Sequence, residues 1–311
     1  MVRPAAADVM PLPIPSRPAV TTPIPRHTRF ASVLILLSAL AWPVSASARS
    51  PDPAALAAWD AYVKATERRI DAELARGEPF LVEDIVAPGK GTRARGAAAG
   101  DAVFVFRMPI PPGGGSTAHP DDALLHHWLG SVFVPGVSVA DVIAFVQDYD
   151  HHAGKFPDAV GSRLLSRQGD RFDVFLKLRR TKVITVYYNT EHRVDYRVYG
   201  PERASSRSIG TKVAELKDVG TSAEREKTPQ EDRGFMWRLN SYWRFLAVPG
   251  GVVVECESVS LSRDIPTGLG WLVGPFVNSI PRESLEQTLV GIRNGTIART
   301  RAASPATSSA R

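Results

Sequence analysis

The feature that most constrains this chain is an order of elements between Leu124 and about Arg293. Long strand-like runs are bracketed there by one short helix and one terminal helix. The first bracket is residues 138–150. Ser138 followed by Asp141 reads as an N-cap with a first-turn acid. Val139, Val142, Ile143, Val146 and Tyr149 recur at helical spacing, so one stripe of this helix is apolar. The second bracket opens at Pro281, a residue suited to a first helical position because its missing N–H would have no partner there. Leu285, Leu289 and Ile292 form its buried stripe, and Gly295 stands where a C-cap is expected.

Between the brackets the period changes to two. Phe172, Val174, Leu176 and Leu178 alternate with Asp173, Lys177 and Arg179, a β-branched and aromatic run extends from Lys182 to Tyr199, and Asn189, Gly200 and Asp218 mark further strand ends. In the next run Phe235, Trp237, Leu239, Trp243 and Phe245 share one face; Arg238, Asn240, Tyr242 and Arg244 share the other. Val252 to Arg263 is the last strand, joined to its predecessor by a short hairpin loop at Val248-Pro-Gly-Gly251. If the loop is Val248–Gly251, Arg244 lies near Glu255 and Tyr242 near Glu257; a loop shorter by one residue sets Glu255 beside Phe245 and Glu257 beside Trp243 instead. Alternation favours solvent for this polar face and the core for Trp237, Leu239, Trp243 and Phe245. If the polar face instead lines a pocket, Tyr242, Glu255 and Glu257 are candidates for ligand orientation or acid–base work.

The segments Phe145-Val-Gln-Asp-Tyr-Asp150, Phe156-Pro157 and Val160 to Phe172, with Gly169-Asp170 between two strands, resemble the start of START-like domains. They are similar to the coenzyme Q-binding and polyketide-cyclase branches of that superfamily. The resemblance covers roughly residues 124–295. It implies an α+β helix-grip fold, a curved antiparallel sheet wrapped on a long C-terminal helix, here with an N-terminal helical and strand extension. It also implies a hydrophobic small molecule, such as a lipid or quinone, in a cavity between sheet and helix, with no cofactor. Expected lining residues are Trp237, Leu239, Trp243, Trp271, Phe276, Leu285, Leu289 and Ile292, with Tyr242 and Glu257 as polar members.

Before the domain, residues 53–76 read as a helix with Trp59, Tyr62, Val63, Ile70 and Leu74 as its stripe and Gly77 as its end. Phe80–Val86 and Ala102–Met108 are candidate strands, and Pro109 to Asp122 is a Pro- and Gly-rich linker. At the N-terminus, Arg26 and Arg29 precede an apolar run from Phe30 to Trp42, and Ala46-Ser47-Ala48 is a cleavage-site pattern. The run is shorter than the about 20 apolar residues of a spanning helix. The resulting division is a signal peptide at 1–48, an extension at 49–123, the START-like domain at 124–295 and a disordered tail at 296–311. The expected location is the periplasm or the exterior.

Charge matters only after that division. Residues 1–48 hold four of the 38 basic residues and one of the 32 acids, leaving 34 against 31. That balance carries no nucleic-acid footprint. A lone Cys256 permits no internal disulfide and reads as an inert strand residue. Neighbouring His126 and His127 point to opposite faces of a strand and cannot share a metal. Asp148, Asp150 and His151 read as a polar turn. The segment Asp264 to Asn278, with Trp271 and Phe276, is a core plug, a mobile lid or a patch for transient membrane contact. Two other functions stay open: a cyclase- or hydratase-like enzyme using Tyr242, Glu255 or Glu257, and a protein-interaction module with a filled core and residues 224–233 as its contact.

Overall fold

The structure is a computed structural model that describes residues 50–86, 103–109, 123–181, 184–264 and 270–303, the side chains of 270–278 excepted. The proposed signal segment, residues 110–122 of the linker, and the side chains of Trp271 and Phe276 lie outside the described residues.

The described elements are α1 (Pro53–Arg76), α2 (Val82–Val86), β1 (Val103–Arg107), β2 (Ala123–Pro135), α3 (Val139–Val146), β3 (Ala159–Gln168), β4 (Arg171–Thr181), β5 (Thr185–Val198), β6 (Arg203–Lys217), β7 (Arg225–Glu226), β8 (Arg238–Val248), β9 (Gly251–Arg263) and α4 (Gly270–Ala303). All strand pairings are antiparallel. The order is β1-β2-β9-β8-β6-β5-β4-β3, with β7 added to β6, giving a curved, unclosed sheet of nine strands. With α4 against it, this is an α+β helix-grip fold.

Local chemistry explains the well-read elements. Asp52 caps α1 by accepting from the Ala54 N–H at 2.7 Å, and Pro53 opens the helix. Ser138 and Asp141 form a reciprocal capping box at α3. Val248 pairs with Gly251, so β8 and β9 join through Pro249-Gly250, and the cross-strand pairs Arg244–Glu255 and Tyr242–Glu257 follow.

One face of the sheet grips α3 and the C-terminal half of α4. Leu285, Leu289 and Ile292 pack there with Val132, Val134, Val252, Val254, Phe245 and Phe145. A Cβ added at Gly130 would lie 2.7 Å from Leu289 Cδ1, so helix and sheet are in close contact at that level. Burying a leucine such as Leu289 contributes about 1.5–3 kcal/mol.

The other face is covered by the N-terminal extension. Trp59, Tyr62 and Ile70 of α1 pack on Trp237, Tyr242, Val259 and Leu261, while Phe80 and Leu81 pack on Phe133 and Val253.

Three expectations change. Residues 82–86 are helical rather than extended, with Glu83 and Asp84 in the first turn and the Val82 and Glu83 N–H groups donated to Glu255. Pro281 lies within α4, which begins at Gly270. Gly295 is not a C-cap, because the helix continues to Ala303 with Thr296 fully buried. Its smallness serves packing: a Cβ there would lie 2.1 Å from Phe145 Cζ. Gly295→Ala should therefore destabilise the protein by about 1–3 kcal/mol in urea denaturation, despite alanine's better helix propensity. Finally, residues 224–233, the contact of the interaction-module alternative, are tied to the sheet through the pairing of β7 with β6. Glu231 pairs with Lys217 and Arg225, and Lys227 pairs with the buried Glu215.

Candidate functional site

The face toward α4 changes character along its strands. On β9 it reads Val252, Val254, Cys256 and then Ser258, Ser260, Ser262, because every second residue shares a face. Register extends the change across the sheet. Ser258 pairs with Trp128 on β2 and Ser241 on β8, Ser241 with Ser208 on β6, and Ser260 with His126 and Leu239. Ser206 lies opposite Trp243, and β5 adds His192 and Thr190. Bulky apolar side chains thus give way to short hydroxyls flanked by two imidazoles.

These groups are taken out of water. Ser206, Ser260, Ser262, Thr190, His126 and His192 are all buried. His126 Nε2 is 3.1 Å from Ser262 Oγ; His192 Nε2 is 3.1 Å from Thr190 Oγ1, and its Nδ1 is 3.4 Å from Ser208 Oγ. Desolvation lowers both imidazoles to about 4, assisted at His126 by the charge of Arg107. Both are therefore neutral at physiological pH, each ring offering one donor and one acceptor. Trp243 Nε1 donates to Ser241 Oγ at 3.0 Å, and the buried Trp128 Nε1 has no hydrogen-bond partner. The set suits neutral oxygen atoms of a ligand such as carbonyls and hydroxyls.

The expected site residues separate between the two faces. Leu285, Leu289 and Ile292 point at the sheet in its packed half. Trp243 lies beside them, and Leu239 shares its face, half-buried. Trp237, Tyr242 and Glu257 belong to the opposite face. Trp237 precedes the regular strand, so the alternation that placed it beside Trp243 does not apply; it packs under α1, while Phe235 is 46 % exposed. Tyr242 donates to Glu67 Oε1 at 3.2 Å.

The expectation of a solvated polar face is overturned: Glu255 and Glu257 are each 1 % exposed beneath α1 and α2. Alternation identifies a polar face but not what covers it. The acid–base alternative built on Tyr242, Glu255 and Glu257 therefore lacks its inward geometry. The serine floor was missed in the sequence, although Ser258, Ser260 and Ser262 at period two were a visible signal.

Other candidates resolve into structure. His151 Nδ1 is 2.6 Å from Asp148 Oδ1, and Asp150 accepts from the Leu164 N–H. Among the described residues no group is arranged to hold a metal. Cys256 is buried, and desolvation pushes its thiol far up. A groove of about 450 Å³ lies on the other side of α4, lined by residues including Lys155, Pro157, Glu283 and Val290.

No family model and no curated protein matches this sequence. Solved structures of similar architecture include a STAR-related lipid transfer protein from Xanthomonas axonopodis, 16% identical with a TM-score of 0.44, covering 63% of this chain and 93% of its own. An aromatase/cyclase from a Streptomyces species is 14% identical with a TM-score of 0.37, covering 58% and 98%. A START superfamily protein from Mycobacterium smegmatis is 11% identical with a TM-score of 0.36, covering 58% and 99%.

Proposed function

We propose that this domain holds one hydrophobic small molecule bearing oxygen atoms, such as a lipid or quinone, between α4 and the serine–histidine half of the sheet. The carrying observation is the step from Val252, Val254 and Cys256 to Ser258, Ser260 and Ser262, of which Ser260 and Ser262 are buried and Ser258 is half-buried. Serine side chains have one heavy atom fewer than those of valine and a hydroxyl in place of methyls, so they fill less space and pack less apolar surface. They leave room, and the imidazoles and hydroxyls around that room give a mostly apolar guest an orientation. Exchange with a membrane through the segment containing Trp271 and Phe276 belongs to the same reading.

The test is a Ser258→Leu/Ser260→Leu double variant, titrated with an environment-sensitive apolar probe and melted in parallel. Filling a chamber should weaken probe binding at least tenfold while leaving the melting temperature unchanged or higher. In a solid core the same leucines would overpack and cost about 1–3 kcal/mol each. Lower melting with undiminished probe binding would reject the chamber.

We further propose that the protein acts outside the cytoplasm, sent there by residues 1–48. The support is the order of Arg26 and Arg29, the apolar run and Ala46-Ser47-Ala48. Deletion of residues 1–48 should leave the folded protein in the cytoplasm; its recovery from the exported fraction would refute this assignment.

A further inference from the structure

The face opposite α4 carries a buried ionic cluster that joins the N-terminal extension to the sheet. Arg69 of α1 pairs with Glu73, four residues on, and with Glu257 of β9. Arg244 of β8 reaches the same Glu73 at 2.5 Å and also donates to the Phe80 carbonyl at 2.8 Å. His127 of β2 bridges the two sides: its Nε2 is 2.7 Å from Glu257 Oε1, and its Nδ1 is 2.5 Å from Tyr62 OH. Glu255 accepts the Val82 and Glu83 N–H groups at 2.7 and 2.8 Å, clamping the start of α2. Glu257 Oε2 is buried and has no hydrogen-bond partner.

The surrounding charges are arranged around this cluster. Glu83 of α2 accepts from Ser131 Oγ at 3.0 Å. Tyr242 of β8 donates to Glu67 of α1, and Arg207 of β6 lies 3.9 Å from Glu67 and 2.6 Å from Asp71. Within the cluster itself, the three carboxylates of Glu73, Glu255 and Glu257 face the two guanidiniums of Arg69 and Arg244. A buried charge without a counter-charge is costly. In the undocked state these carboxylates would be hydrated and ionised, with no such cost.

We propose that α1 and α2 form a proton-linked strap: docking on the sheet takes up one proton at the Glu255 carboxyl, beside Glu257 in this cluster, and raising the pH releases the strap. Desolvation raises the Glu255 carboxyl to about 7, against the opposing charge of Arg244 and the two backbone donors. Burial also pushes on Glu257, but the His127 hydrogen bond and the charges of His127, Arg69 and Arg244 outweigh it and hold this carboxyl low. A carboxyl whose docked value exceeds its free value favours docking fully below the free value. It loses that contribution as pH rises through the docked value, about 7 here.

The experiment is hydrogen–deuterium exchange on the full-length protein from about pH 5 to about pH 9, corrected for intrinsic exchange, comparing peptides of α1 with peptides of β5. Release of one proton should increase α1 opening about tenfold per pH unit from about 5 to about 7 and level off above that, with β5 protection unchanged. Glu257→Gln keeps an acceptor for His127 and Arg69, places its amide where Oε2 has no partner, and leaves two carboxylates on two guanidiniums. It should flatten the profile. If Glu257→Gln leaves α1 unprotected throughout, Glu73→Gln makes the same charge change elsewhere and its slope decides. PH-independent α1 protection in the wild type, α1 and β5 opening together, or an undiminished slope in the deciding variant would overturn the proposal.

Discussion

Replacing Arg244 with Ala should cost about 3–5 kcal/mol of stability, the range expected when one partner of a buried ion pair is removed. Arg244 is 3 % exposed, binds Glu73 and the Phe80 carbonyl, and is the cation across the strand pair from Glu255. Its removal takes the side-chain donor from the Phe80 carbonyl and leaves Glu73 with Arg69 alone and Glu255 with only its two backbone donors, beneath α1 and α2, where water cannot replace it without the extension lifting. Arg69→Ala should cost clearly less, because the Arg69 side chain is about a third exposed and water can take part of its role. Urea denaturation of both variants checks the ranking. A loss below about 1 kcal/mol for Arg244→Ala, or a larger loss for Arg69→Ala, would contradict the role given to the extension.

Acidification should have a comparable effect by a different route. His126, His152 and His192 are buried on the α4 side and lowered to about 4, chiefly by desolvation. The folded state resists a proton that the unfolded chain accepts near the ordinary imidazole value of about 6.5. Each imidazole therefore contributes stability above that value and loses it as pH falls toward about 4, by about 3 kcal/mol apiece at the limit. The sign is opposite to that of Glu255, which penalises folding as pH rises through about 7. Thermal melting should thus peak near neutral or weakly acidic pH and fall steeply below about 6. His192→Asn should flatten the acid limb by removing one titrating group. An acid limb with the same slope in wild type and variant would show that the imidazole is not held neutral.

What the sequence revealed depended on whether a signal was local. α1 was readable because Pro53, the Trp59–Tyr62–Ile70 stripe and Gly77 all lie within one turn-by-turn pattern. The β8–β9 hairpin was readable from Pro249-Gly250, and of the two registers open to it the structure adopts the one that pairs Arg244 with Glu255. Strand β6 was marked only at its ends, by Gly200 and Asp218: Ser205, Ser206, Ser208 and Gly210 have the composition of a loop, and the sheet's neighbours hold them extended. Ser206 and Ser208 share the α4-side face with Trp243 and Ser241, so that strand and the polar half of the face escaped notice for one cause. The polar face of β8 and β9 failed for another reason. Its cover comes from Arg69 and Glu73, far earlier in the chain, and no window around Arg244 or Glu257 contains them. Gly295 was misread because a glycine near a helix end usually signals termination, whereas here Phe145 occupies the space a Cβ would need.

The chamber is tested most directly by native mass spectrometry of the full-length protein after incubation with a total lipid and quinone extract. The account predicts one small-molecule mass per chain, lost on organic extraction and absent from the Ser258→Leu/Ser260→Leu variant. A bare-chain mass in wild type and variant alike, from protein that is folded and melts cooperatively, would contradict it.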